Sequence, residues 1–169
     1  QGWLMFAEVL FPQPWTPGTP TQLDGAELTE DLLPLTDQAP EIHVARLYEN
    51  YTDGRWRPGS YPESYETVMD SLNAGYGLAL HVGHGYRNTM AVGGGSLVNA
   101  DIASLINGDR LFNLYAINCT SNAIDFPSIG EVFLINPNGG AVTNIGSTRF
   151  DFPSAGRAYQ YEYFRLFIE

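Results

Sequence analysis

The chain holds one cysteine, Cys119 in "INCTSN" (117–122), and a histidine set between two glycines, His84 in "LALHVGHGYRN" (78–88). A thiol becomes an effective nucleophile when a base or a positive environment stands beside it. The pair therefore suits nucleophilic catalysis if the fold brings the two side chains together. The flanking glycines fit that use: Gly83 lets the chain turn off a buried segment, and Gly85 leaves a backbone N–H unshielded. The N–H groups of Gly85 and Cys119 are then candidates for an oxyanion hole. The simpler readings are a buried cysteine acting as a small hydrophobe and a histidine satisfied within a turn. The polar residues after Cys119 and its place at the end of an apolar run favour the dyad.

Other candidates are weaker. His81 and His84 do not make a metal pair, because residues three apart on a strand point to opposite faces about 10 Å apart. A buried, hydrogen-bonded His81 is the expectation. "VGGGSLV" (92–98) lacks the Lys-Ser/Thr of a phosphate loop and the second glycine of a nucleophile elbow, so it reads as a hairpin or flap beside the site. Asp125 in "AIDFPSIGE" either caps the following helix or lines the pocket. Glu8, near the end of the first strand, is a candidate for recognising a basic P1 side chain, with pairing to a local Arg as the alternative.

The elements that must position these residues alternate along the chain. Apolar runs at 3–10, 42–48, 76–82, 111–118 and 140–146 read as strands. Between them, Asp24-x-x-Glu27 opens a helix over 25–33, and Ser60-x-x-Glu63 opens one carrying Tyr65, Val68, Met69 and Leu72. Asn99 caps a helix with Ile102, Leu105 and Ile106, Ser128-x-x-Glu131 opens another, and 155–168 is helical. Five β-α steps predict an α/β protein with a mostly parallel sheet covered on both faces. Ligands bind such sheets beyond the carboxyl ends of the strands. His84 and Cys119 both follow such ends, on successive strands.

Composition agrees with a packed protein. The 169 residues suffice for a single domain spanning 1–169; 44% are hydrophobic and 16% charged. A net charge of -11 with 8 Lys+Arg argues against nucleic acid as a partner. One cysteine forms no intramolecular disulfide, no apolar run reaches the length of a membrane span, and the abrupt ends suggest a piece of a longer precursor.

Taken together, "NAGYGLALHVGHG", "INCTSNAIDFPSIGEVFL" and "GGAVTNIGSTR" resemble the gingipain-type cysteine peptidases of the caspase-like clan, over roughly 62–150 and more loosely the opening "WLMFAEVLFP". The resemblance implies a caspase-like three-layer α/β/α sandwich. It implies Cys119 as nucleophile, His84 as general base and acid, and Gly85 and Cys119 as oxyanion donors. It also implies a protein or peptide substrate, flanking domains of a larger precursor, and a bacterial protein that is secreted or at the cell surface. The chemistry requires no cofactor, and the residues leave open a structural calcium. A sortase-like transpeptidase, or a peptide-binding module without catalysis, are the readings from other classes.

Overall fold

A computed structural model of the chain describes residues 2–56 and 58–168. The strands are β1 (Gly2–Ala7), β2 (Val9–Phe11), β3 (Leu23–Asp24), β4 (His43–Tyr48), β5 (Ser60–Pro62), β6 (Leu78–Val82), β7 (Gly85–Tyr86), β8 (Thr89–Val92), β9 (Gly95–Val98), β10 (Phe112–Ile117) and β11 (Ala141–Ile145). The helices are α1 (Gly25–Glu30), α2 (Leu33–Thr36), α3 (Tyr65–Ala74), α4 (Asn99–Ala103), α5 (Ile129–Ile135) and α6 (Pro153–Ile168).

Six strands form one sheet in the order β11-β10-β6-β1-β4-β5, with every neighbour parallel. Both faces are covered, which is why the central strands β1 and β6 are buried along nearly their whole length instead of alternating. Along β1, Leu4 and Phe6 enter a core with Val68, Leu72, Ile102, Ile129 and Phe133. Trp3, Met5 and Ala7 point the other way, to Leu28, Leu32 and Phe164. The result is the expected α/β/α sandwich. The chain lays β4 and β5 to one side of β1 and β6, β10 and β11 to the other, so the order reverses between β1 and β6. A crevice opens at such a reversal, beyond the carboxyl ends of the strands.

Several local expectations give way to tertiary demands. The run 3–10 is not one strand: β1 stops at Ala7, and β2 turns away to pair antiparallel with β3. The helix expected over 25–33 breaks into α1 and α2, because Pro34 has no N–H to donate and its ring clashes with the carbonyl four residues back, that of Glu30, the last residue of α1. Ser60-x-x-Glu63 starts no helix. Residues 60–62 are the edge strand β5, and Glu63 N continues the ladder to Tyr48 O at 3.0 Å. The helix begins instead at Ser64, whose Oγ accepts from Thr67 N while Thr67 Oγ1 accepts from Ser64 N. At α4 the cap is Val98, its N–H held by Asp101, and Asn99 is the first helical residue. The glycine-rich stretch is a hairpin, as expected: β8 and β9 turn at Gly93-Gly94 and form a three-stranded antiparallel sheet with β7.

Candidate active site

The register of the sheet brings five strand exits into one row. Ala7 lies opposite Tyr48 and Val82, Tyr48 opposite Pro62, and Val82 opposite Ile117. The next residues are therefore Glu63, Glu49, Glu8, Gly83 and Asn118, side by side. The ladder runs one step further through Glu63 N to Tyr48 O, Glu49 N to Ala7 O, Glu8 N to Val82 O and Gly83 N to Ile117 O, all at 3.0–3.1 Å. His84 and Cys119 follow Gly83 and Asn118, on the two exits at one end of this row.

Both line one cavity of about 120 Å³, with Leu10, Phe11, Ile117, Asp151 and Pro153 as further walls. His84 is held from two sides: its N–H donates to Glu8 Oε2 at 2.7 Å, and its ring Nε2 lies 3.1 Å from Leu10 O. Phe11 stands edge-on to the imidazole with centroids 6.2 Å apart. The Cys119 thiol lies against the backbone of Asp151, accepting from its N–H at 3.5 Å and donating to its carbonyl at 3.9 Å. Among the described residues no hydrogen bond joins His84 to Cys119; each is engaged by backbone instead.

The segment that reaches Asp151 is a strap laid along the residues after Cys119. Asn122 N donates to Ser147 O at 3.1 Å and Thr120 N to Arg149 O at 2.8 Å. Thr120 has φ of 54°, the left-handed region that β-branched residues avoid, so the turn after Cys119 is a strained one. Arg149 anchors the strap to Asp125 at 3.1 Å. Asp151 and Ile117 also border a larger cavity of about 420 Å³ beside α6, lined by Tyr115, Tyr159 and Tyr163.

Neither glycine beside His84 adopts a positive φ, and their surroundings are close, most of all at Gly83. A Cβ at Gly83 would stand 2.5 Å from His81 Nε2 and 2.6 Å from Glu8 Oε2. A Cβ at Gly85 would stand 3.0 Å from the Asn118 amide carbon. The chain bends at Gly83 as expected, and there it also packs closely over two buried polar side chains.

Glu8 lies beneath the cavity and not on its wall. It is 3% exposed with its carboxylate under Gly83-His84, and burial pushes its pKa up to about 8 despite the His84 N–H. Glu49 accepts from Val9 N at 2.8 Å; burial raises its pKa, while the His84 charge pulls it back. Glu63 is raised well above the ordinary range by burial first and the Glu8 charge second, with one oxygen on Gly93 N and the other without a partner. Asp125 stands outside the cavity wall, its side chain 49% exposed in its pair with Arg149. Its pKa is lowered by its own backbone N–H and by Arg149. His81 is fully buried and hydrogen-bonded, as expected, and burial lowers its pKa to about 4.

Leu10, Glu49, Asn118 and Asp151 belong to the surroundings of His84 and Cys119 and were not among the residues expected from the sequence. Asn118 had a cue in its position beside Cys119; the others had none. Among the described residues no group of three or more His, Cys, Asp or Glu is arranged to hold a metal ion, and no helix is long and apolar enough to cross a membrane.

No curated protein sequence matches the chain. The structure resembles the complex of Porphyromonas gingivalis RgpB pro- and mature domains with a TM-score of 0.71 at 18% identity, over 100% of this chain and 37% of that one. It resembles the crystal structure of the Arg specific cysteine proteinase gingipain R with a TM-score of 0.65 at 19% identity, over 95% of this chain and 35% of that one. A third structure, described as a protease, gives 0.55 at 24% identity over 61% of this chain and 23% of that one. The chain thus spans 23–37% of the length of the structures it resembles. Those likenesses show a gingipain-like, caspase-like α/β fold. The model of peptidase family C25 matches residues 21–169, which is most of the chain, and the protein belongs to that family.

Proposed function

We propose that the chain is the catalytic core of a cysteine endopeptidase, with Cys119 as nucleophile and His84 as its proton-transfer partner. The observation that carries this is the meeting of His84 and Cys119 in one cavity at the carboxyl ends of adjacent parallel strands. His84 takes the proton of the Cys119 thiol as the sulfur attacks the scissile carbonyl carbon, and the N–H groups of Gly85 and Cys119 receive the oxyanion. The C–N bond then breaks, and the leaving amine takes its proton from His84. Water attacks the resulting thioester with His84 accepting its proton, and the thiol departs. Losing one oxyanion donor in such a site costs about 3–4 kcal/mol of transition-state stabilisation.

With Nε2–H donating to Leu10 O, Nδ1 is left as the basic nitrogen of His84, and before the first step the thiol must leave Asp151. Glu8 supports the mechanism from below by holding the His84 N–H. Protein or peptide substrates follow from this chemistry. Membership of the family and the likeness to a pro- and mature-domain structure support a bacterial, secreted or surface protein that carries further domains.

The test is hydrolysis of a peptide library varied at P1 by the wild-type chain, Cys119→Ala and His84→Ala. Loss of turnover in both variants is expected, and hydrolysis retained by Cys119→Ala sinks the mechanism. Including Glu8→Gln and Asp125→Asn reports whether either carboxylate reads a basic P1 side chain. Product masses with an added amine separate hydrolysis from transpeptidation.

A further inference from the structure

His81 takes no part in the proton transfers assigned to His84, yet it is wholly buried and both ring nitrogens are engaged. Nε2 lies 2.9 Å from Ala91 O, and Nδ1 lies 3.1 Å from Asn118 Nδ2. A carbonyl only accepts, so Nε2 carries the hydrogen and Nδ1 accepts from the amide. Asn118 Oδ1 in turn accepts from Ser121 Oγ at 2.5 Å, and Ser121 O accepts from Gly130 N at 2.9 Å. One continuous series therefore ties β8 to β6, β6 to β10, and β10 to the turn after Cys119 and the start of α5.

The series touches each part of the dyad's backbone. Cys119 follows Asn118 directly. Gly83 packs over His81 Nε2 too closely for a Cβ, and Gly85 packs tightly against the Asn118 amide. The sheet ladder itself ends at this point, with Gly83 N on Ile117 O. Beyond it, the His81–Asn118 bond is a polar tie between the exit that carries His84 and the exit that carries Cys119. A displacement of about 1 Å in such a site costs up to about a hundredfold in rate.

We propose that His81, with Asn118 and Ser121, is a positioning device that sets the distance and orientation between His84 and Cys119, an inference that rests on the peptidase reading of that pair. It distinguishes the two links of the imidazole. The bond to Asn118 joins the two exits, whereas the bond to Ala91 only seats the hairpin. An Asn side chain places its amide oxygen where Nδ1 stands, and a Gln side chain places its amide nitrogen where Nε2 stands. His81→Asn therefore keeps the tie to Asn118, and His81→Gln keeps the tie to Ala91.

The experiment measures three quantities in the wild-type chain, His81→Asn, His81→Gln and Asn118→Leu: kcat and KM on a peptide substrate, the iodoacetamide alkylation rate of Cys119 from about pH 5 to about pH 9, and thermal unfolding. His81→Asn is expected to stay within about threefold of wild type in kcat and alkylation. His81→Gln and Asn118→Leu are expected to lose about tenfold or more in kcat, with KM little changed and slower alkylation at the acidic end. A role confined to stability would move the unfolding temperature of the variants without separating the rates of His81→Asn and His81→Gln. Equal rates in those two, both high or both low, overturn the proposal. A wild-type chain that alkylates readily but hydrolyses no peptide removes the peptidase reading, and the alkylation comparison alone then decides the positioning role. A wild-type thiol no more reactive at acidic pH than a free cysteine overturns both.

Discussion

Glu8→Gln should change how the protein's stability depends on pH. Glu8 is 3% exposed, and its pKa rises from 4.5 to about 8, chiefly by burial. Below about pH 4.5 the carboxyl is protonated in folded and unfolded chains alike, and its contribution to stability is fully present. As the pH rises, the unfolded chain releases a proton that the folded chain retains. The contribution therefore falls, and it is lost once the folded group ionises near pH 8. At about 1.4 kcal/mol for each pH unit between the two values, the loss is at most about 5 kcal/mol. Gln copies the shape of the protonated acid and keeps an oxygen for the His84 N–H. The variant should match wild type near pH 4 and exceed its stability near pH 8 by up to that amount. Part of the rise at Glu63 comes from the Glu8 charge, so that slope softens as well. Urea unfolding at about pH 4, 6 and 8, extrapolated linearly to water, measures the difference. Parallel curves for the two proteins, or a wild type that gains stability between about pH 5 and pH 8, would show that Glu8 does not hold its proton in the fold.

Arg149→Ala removes an exposed pair with Asp125, so stability should change by less than about 1 kcal/mol. It also frees the strap that seats Asp151 on the thiol, so Cys119 alkylation should speed up; an unchanged rate means the strap does not shield the sulfur. Gly83→Ala should destabilise by about 2–3 kcal/mol and Gly85→Ala by about 1 kcal/mol, because the first Cβ meets His81 and Glu8 more closely than the second meets Asn118. Thermal unfolding checks the order, and equal losses would place the steric demand elsewhere.

Some of this was legible without coordinates. Long apolar runs separated by periodic helical segments dictate covered parallel strands, because a run such as "WLMFA" has no polar face to offer water. From that alternation alone, His84 and Cys119 fall at the ends of successive strands. Short elements carry no such signal. The strands β3 and β7, of two residues each, form because a partner is present, not because of their own pattern. At Ser60-x-x-Glu63 the local signal was a helix start, and the open Tyr48 carbonyl on the neighbouring strand outweighed it.

The sequence by itself determined the layer architecture and the two residues that follow adjacent strand exits, because periodicity and chain order depend only on local spacing. Tertiary structure alone decided what surrounds them. Register set Glu63, Glu49 and Glu8 in one row, and the parallel pairing of β6 and β10 brought His81 to Asn118. A strap from beyond β11 brought Asp151 to the thiol. Each of these joins residues far apart in the chain, and only packing in three dimensions chooses such partners.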